Sequence, residues 1–277
     1  REMARVLPYD ARADTALNVE LLARFPDRIT GDAAPGDAPL PIYVLGLPRS
    51  GTTLAEAILG AGADVVPLGE RAATGSLLQH IINRDLPFDD AAVRAFVRAD
   101  HQLLPEMPPG TRAYVDKMPE NYRLIGFLKT AFPRCRILNI TRDPRDIALS
   151  MWRGHFSGTA LNYTYDLTAM AHRFNLYATA MRHWHSVLPG QILDVAYEDM
   201  VADTETVSRR MAGFCGLDWR PEMARPDQHV QQVLTLSATQ LRQPVHARSI
   251  GKWRPHASRL APFIAKLDPD LWPEIAR

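Results

Sequence analysis

An apolar run that stops at a glycine and restarts as a helix leaves this chain few ways to fold. In Pro41-Ile42-Tyr43-Val44-Leu45-Gly46-Leu47-Pro48-Arg49-Ser50-Gly51-Thr52-Thr53-Leu54, the segment Ile42–Leu45 reads as a buried strand. It breaks at Gly46, turns through a Pro-Arg-Ser-Gly loop and enters an apolar helix from Leu54 to Leu59. Such a turn aims backbone N–H groups at one point, and the helix dipole adds positive potential there, so the unit is a phosphate cradle. The plainer alternative is a tight strand-to-helix turn that holds nothing.

Gly46 and Gly51 stand at the spacing of the first and last glycines of G-x-x-x-x-G-K-[ST]. Thr52 takes the place of the lysine that should follow, and the cation of the loop is Arg49. Without the charge that reaches the β- and γ-phosphates, the loop is expected to hold a phosphate-bearing nucleotide but not to run triphosphate chemistry.

Further strands are predicted over Ala63–Pro67, Arg112–Asp116, Arg136–Thr141 and Gln191–Val195. Helices are predicted over Glu70–Ile82, Asp89–Leu103, Asn121–Ala131, Pro144–Trp152, residues 166–187 and Asp203–Cys215, with a last one near Pro262 and an irregular stretch over 216–256. Strands alternating with helices argue for a P-loop-like three-layer α/β fold, a central parallel sheet flanked by helices on both faces. The 277 residues suffice for one large domain or two small ones, each with a full core. Residues 1–39 carry a short helical piece, Asp14–Phe25, then a Gly/Asp/Ala/Pro loop, and read as a strap or linker remnant before a catalytic domain over 40–277. The chain does not begin with Met, which leaves open whether it is a piece of a longer protein.

Two cysteines, Cys135 and Cys215, give neither a disulfide framework nor a metal quartet, and both are expected as buried fillers in a reducing cytoplasm. The nine histidines show no metal spacing, and no metal site is expected. A formal net charge of +1 excludes a general polyanion surface, so no nucleic-acid partner is expected and any anion site must be a local cluster. No stretch approaches the ~20 apolar residues of a membrane span, and Arg1–Arg5 lacks the apolar core of a signal peptide.

At Leu47-Pro48-Arg49-Ser50-Gly51-Thr52-Thr53-Leu54 the chain resembles the 5′-phosphosulfate loop of sulfotransferases that use 3′-phosphoadenosine 5′-phosphosulfate (PAPS). Its Arg-for-Lys form is similar to tyrosylprotein sulfotransferases and to bacterial sulfotransferases often fused to tetratricopeptide repeats. The resemblance implies that Pro48, Arg49, Ser50, Gly51, Thr52 and Thr53 hold the phosphosulfate. A second patch, Ile137-Leu138-Asn139-Ile140-Thr141-Arg142-Asp143-Pro144-Arg145-Asp146-Ile147-Ala148-Leu149-Ser150, is again strand, turn and helix. Arg142 and Ser150 look like the family's 3′-phosphate contacts, and an Arg fork suits phosphate bidentately. The plainer alternative for Arg142 is an ion pair with Asp143 or Asp146. A third patch, Arg248-Ser249-Ile250-Gly251-Lys252-Trp253-Arg254, resembles the family's loop over the nucleotide. It implies Arg248, Gly251, Lys252 and Trp253 as further nucleotide contacts, with Trp253 weighed more as a core anchor than as an adenine platform.

Glu70, in a Gly-Glu dipeptide, resembles the general base of the tyrosylprotein enzymes; an attacking hydroxyl must lose its proton, and a carboxylate within reach can take it. The plainer alternative is an acid at a helix N-terminus. Lys117, in Asp116-Lys117-Met118-Pro119, resembles the lysine of a Lys-x-Pro motif, and with Arg49 it would neutralise charge on the transferred group. Ser237 parallels a serine that helps at the bridging oxygen, or is an isolated surface serine. Tyr197-Glu198-Asp199 resembles a family segment whose role here is packing and capping. His155 is the nearest rival base and ranks below Glu70.

The resemblance therefore implies transfer of a sulfuryl group from PAPS to an acceptor hydroxyl, leaving adenosine 3′,5′-bisphosphate and needing no metal. A P-loop kinase or nucleotide triphosphatase, and a catalytically silent nucleotide-binding module, stand as the other readings. The acceptor is open among a peptide tyrosine, a sugar, a lipid-linked glycan and a small phenol, and a homodimer is a further expectation.

Overall fold

Ile42, Tyr43, Val44 and Leu45 have no exposed surface, which is what a strand covered on both faces requires. They lie in β1 (Leu40–Gly46), the middle strand of the computed structural model, which describes residues 6–29, 38–154, 156, 161–228 and 247–276. With β2 (Val65–Pro67), β3 (Ala113–Asp116), β4 (Arg136–Thr141) and β5 (Ile192–Ala196) it forms one sheet in the order β2-β3-β1-β4-β5. Every pairing is parallel. The expected α/β architecture is the one observed.

The α-helices among the described residues include α1 (Ala11–Ala23), α2 (Thr52–Gly60), α3 (Ala73–Asn83), α4 (Asp90–Gln102), α5 (Ile125–Ala131), α6 (Pro144–Trp152), α7 (Leu167–Val187), α8 (Tyr197–Ala202), α9 (Thr204–Cys215) and α10 (Ala257–Ile264). Alternation along β1 divides the core in two. Ile42 and Val44 join Val115, Leu138 and Ile140 in a cluster with Ile58 of α2 and Met211 of α9. Tyr43 and Leu45 join Ile137, Phe127 of α5, and Met170, Phe174 and Met181 of α7 on the opposite face. Each fully buried side chain of this size contributes about 1.5–3 kcal/mol. Asp89, Asp143, Asp166 and Asp203 accept the first N–H groups of α4, α6, α7 and α9.

Several boundaries differ from expectation, each for a visible reason. The first helix begins at Ala11, because Asp10 caps it by accepting from Arg12 and Ala13. The segment Asn121–Ala131 is not one helix. It splits into a 3₁₀ stretch, Pro119–Leu124, and α5, and the indole of Trp184 donates to the Tyr122 carbonyl within the 3₁₀ stretch. The helix expected from Glu70 starts at Ala73, which leaves Glu70 in the connection and removes the reading of Glu70 as a helix N-terminal acid. Cys135 and Cys215 are buried free thiols, and burial pushes both up to about 12.

The carboxyl ends of β1, β3 and β4 lie side by side, with Gly46 opposite Ile140 and Tyr43 opposite Asp116. The chain fills one side of β1 with β3 and β2, then crosses to the other with β4 and β5. Open α/β sheets bind ligands at such a reversal.

Candidate active site

The turn after β1 is shaped by two glycines in conformations that L side chains avoid. Gly46 has φ +144°, and a Cβ there would lie 2.5 Å from the Ile140 carbonyl oxygen. Gly51 has φ +112°, and a Cβ there would lie 2.5 Å from the Tyr197 ring. Between them Arg49 adopts φ +73°, a left-handed conformation costing about 1–3 kcal/mol. The α2 helix that follows has Gly51 at its cap position and no side-chain cap bond, unlike the aspartate-capped helices. Ser50, within the turn, is fully buried, and its Oγ has no hydrogen-bond partner among the described residues.

The second patch folds onto this turn. Arg142, just beyond β4, donates from one terminal nitrogen to the Arg49 carbonyl at 3.0 Å and from the other to the Ser249 carbonyl at 2.6 Å. Its guanidinium lies 4.4 Å from the centre of the Tyr197 ring, and its buried Nε has no partner among the described residues. The ion pair expected as the alternative does not form. Asp143 instead pairs with Arg145 and caps α6, and Asp146 accepts from main-chain N–H groups. Arg49 Nε donates to Ser150 Oγ at 3.0 Å, which joins the loop to the end of the second patch. Burial, with the Arg142 guanidinium alongside, pushes the pKa of Arg49 down.

The third patch is held to the second by Asp146, weighed from sequence only as an ion-pair partner for Arg142. Its nearly buried carboxylate accepts from Gly251 N at 2.6 Å and Trp253 N at 3.0 Å. Arg145 stacks 4.0 Å from the Trp253 ring centre, and Trp253 also packs on the core, the anchoring role weighed from sequence. Arg248 and Lys252 are exposed on the same loop. Glu198 accepts the Asp143 N–H at 3.1 Å, and Tyr197 packs beneath Arg142 and against Gly51, so that segment does the expected packing and capping. Local sequence offered one hint of the Asp146 clasp, a second acid one helical turn past the Asp143 cap; its partners lie far along the chain.

Glu70 and Lys117 meet at the end of β3. Lys117 is fully buried, and its Nζ donates to Glu70 Oε1 at 2.6 Å, while the Glu70 side chain is about half exposed. Behind them Arg71 pairs with Asp100 at 2.9 Å and Asp116 at 3.4 Å. Burial, opposed by Arg71, pushes Asp116 up to about 7. Ser237 and His155 lie outside the described residues. Among the described residues no group of three or more His, Cys, Asp or Glu is placed to hold a metal ion, and no helix is long and apolar enough to cross a membrane.

A family model described as the sulfotransferase family matches residues 41–221. An uncharacterized protein of Aquifex aeolicus is 29% identical over 254 residues, which cover 86% of this chain and 33% of that protein. The chain thus spans about a third of that relative's length. Protein-tyrosine sulfotransferase 2 of Gallus gallus is 21% identical over 281 residues, covering 83% of this chain and 69% of that protein. Among solved structures, the sulfotransferase domain of the Synechococcus PCC 7002 olefin synthase matches with a TM-score of 0.58 at 16% identity, covering 85% of this chain and 98% of the other.

Proposed function

Because this chain belongs to the sulfotransferase family, we propose that it transfers a sulfuryl group from PAPS to an acceptor hydroxyl. The observation that carries the reading is the convergence of Arg142 on the Arg49 turn, where two buried polar atoms, Ser50 Oγ and Arg142 Nε, have no partner among the described residues. Buried donors of this kind cost about 1–3 kcal/mol each unless a ligand satisfies them, and an anion is the ligand two cations select. Bound PAPS would supply an activated sulfuryl group with a bisphosphate leaving group.

In this reading Pro48, Arg49, Ser50, Gly51, Thr52 and Thr53 bind the 5′-phosphosulfate, and Arg142, Ser150, Arg248, Gly251, Lys252 and Trp253 bind the 3′-phosphate side. Glu70 takes the proton from the acceptor hydroxyl. Lys117, hydrogen-bonded to Glu70, and Arg49 offset negative charge that develops during transfer. Ser237 would act at the bridging oxygen. A hydroxyl acceptor approaches Glu70 from its exposed side; since one relative is named a protein-tyrosine sulfotransferase, a tyrosyl peptide is the first probe. The proposed compartment is the cytoplasm, which two buried free cysteines and no disulfide among the described residues support.

Calorimetric titration with adenosine 3′,5′-bisphosphate, beside 5′-AMP and ATP–Mg²⁺, tests the proposal. Tight binding of the bisphosphate alone, unaffected by EDTA, is the expected result. Equal or better binding of ATP–Mg²⁺ would overturn it in favour of a kinase or triphosphatase.

A further inference from the structure

Glu56 stands on an otherwise apolar stretch of α2, just past the loop that opens the helix, with only 2% of its surface exposed. A carboxylate there needs a purpose, because burying it costs more than burying the alanine or leucine its neighbours carry. Its Oε1 accepts the Gly69 N–H at 2.8 Å, and its Oε2 is buried without a hydrogen-bond partner among the described residues. The Gly69 carbonyl accepts the Lys117 N–H at 3.0 Å, and Lys117 Nζ holds Glu70 Oε1 at 2.6 Å. The Gly69-Glu70 dipeptide is therefore fixed at three points: by α2 at the amide, by β3's exit at the carbonyl, and by Lys117 at the carboxylate.

Resting on the sulfotransferase reading, we propose that Glu56 is a positioning residue for Glu70, tying the base to the same helix whose first turn cradles the phosphosulfate. The base and the anion cradle then share one rigid element, and the gap between proton acceptor and transferred group is set by α2 rather than by a free loop. Displacements of about 1 Å at reacting groups cost about 100-fold in rate, which is the advantage of such a tie. The charged groups facing Glu56 are Lys117, which favours its ionised form, and Glu70, which opposes it. Asp116 lies close enough to feel Glu56, and Arg71 and Asp100 stand behind Asp116. Burial is the leading effect on Glu56 and pushes its pKa up.

The test uses the intact chain. The Gly69 amide proton is followed by NMR against pH in wild type and Glu56→Gln, and its hydrogen exchange in wild type and Glu56→Ala. In wild type the Gly69 resonance should titrate with a midpoint above the ordinary glutamate range. In Glu56→Gln, which keeps an acceptor oxygen but no charge, the titration should vanish. In Glu56→Ala exchange at Gly69 should speed up by about tenfold or more. Sulfation of a tyrosyl peptide should fall in Glu56→Ala and recover in Glu56→Gln, with bisphosphate affinity unchanged in both. A Gly69 amide that neither titrates nor gains exchange overturns the proposal, and if Glu56→Ala does not fold, the Gln variant decides it alone. Loss of bisphosphate binding in wild type would instead sink the sulfotransferase reading, leaving the amide measurements to decide the tie by themselves.

Discussion

A guanidinium that spends its two terminal nitrogens on main-chain carbonyls, those of Arg49 and Ser249, still has Nε to give. That makes Arg142 a brace between two loops as well as an anion donor. Replacing Arg142 by Ala should weaken bisphosphate binding about 10- to 100-fold in calorimetry, the worth of one or two charge-assisted hydrogen bonds. Lysine should not restore it, because an ammonium cannot reproduce the fork. Unchanged affinity would remove Arg142 from the 3′-phosphate site. Glu70→Gln should behave in the opposite way, with turnover on the tyrosyl peptide down about 10²–10⁴-fold and bisphosphate affinity retained. Both residues were singled out from sequence through resemblance to family motifs, Arg142 in a strand-turn-helix patch and Glu70 in a Gly-Glu dipeptide; the contacts that hold them come from remote segments.

At the scale of elements, the connection between β2 and α3 shows tertiary contacts overruling local preference. The sequence favours a helix from Glu70, but Glu56 holds the Gly69 amide and Lys117 holds the Glu70 carboxylate, so the chain does not turn helical until Ala73. The end of β3 carries a second consequence. Burial raises Asp116 to about 7 against an ordinary 3.8, so the folded chain binds this proton more tightly than the unfolded one. The stability from this group is full below the unfolded value and is lost as pH rises through about 7. Asp116→Asn should therefore gain on wild type in denaturant melts between pH ~5 and ~8, Arg71 keeping Asp100 as its partner. A difference between the two proteins that does not change with pH would show that Asp116 is not held as described.

For the whole molecule, residues 1–39 as a strap on a catalytic unit of 40–277 is a proposal with a direct test. Helix α1 places Asp14 against Arg173, 2.6 Å away, and against Arg123, all three largely buried. Asp14→Ala would leave two buried guanidinium groups one partner short, and unfolding measurements should register a loss of about 3 kcal/mol. A loss well under ~1 kcal/mol would mean that α1 rests on the unit without bracing it. What the sequence by itself determined is what short spacing encodes: the strand–glycine–helix unit at Pro41–Leu54, the second strand–turn–helix unit at Ile137–Ser150, and the alternation that implies a parallel sheet. These are properties of neighbouring residues, where φ/ψ limits and periodic burial act locally. Only the tertiary structure decided that Asp146 clasps Gly251 and Trp253, that Tyr197 floors Arg142, that Glu56 reaches Gly69, and that Glu70 precedes its helix rather than starting it. Each of those contacts joins segments remote in sequence, and its geometry exists only once the sheet order has brought the strand ends together.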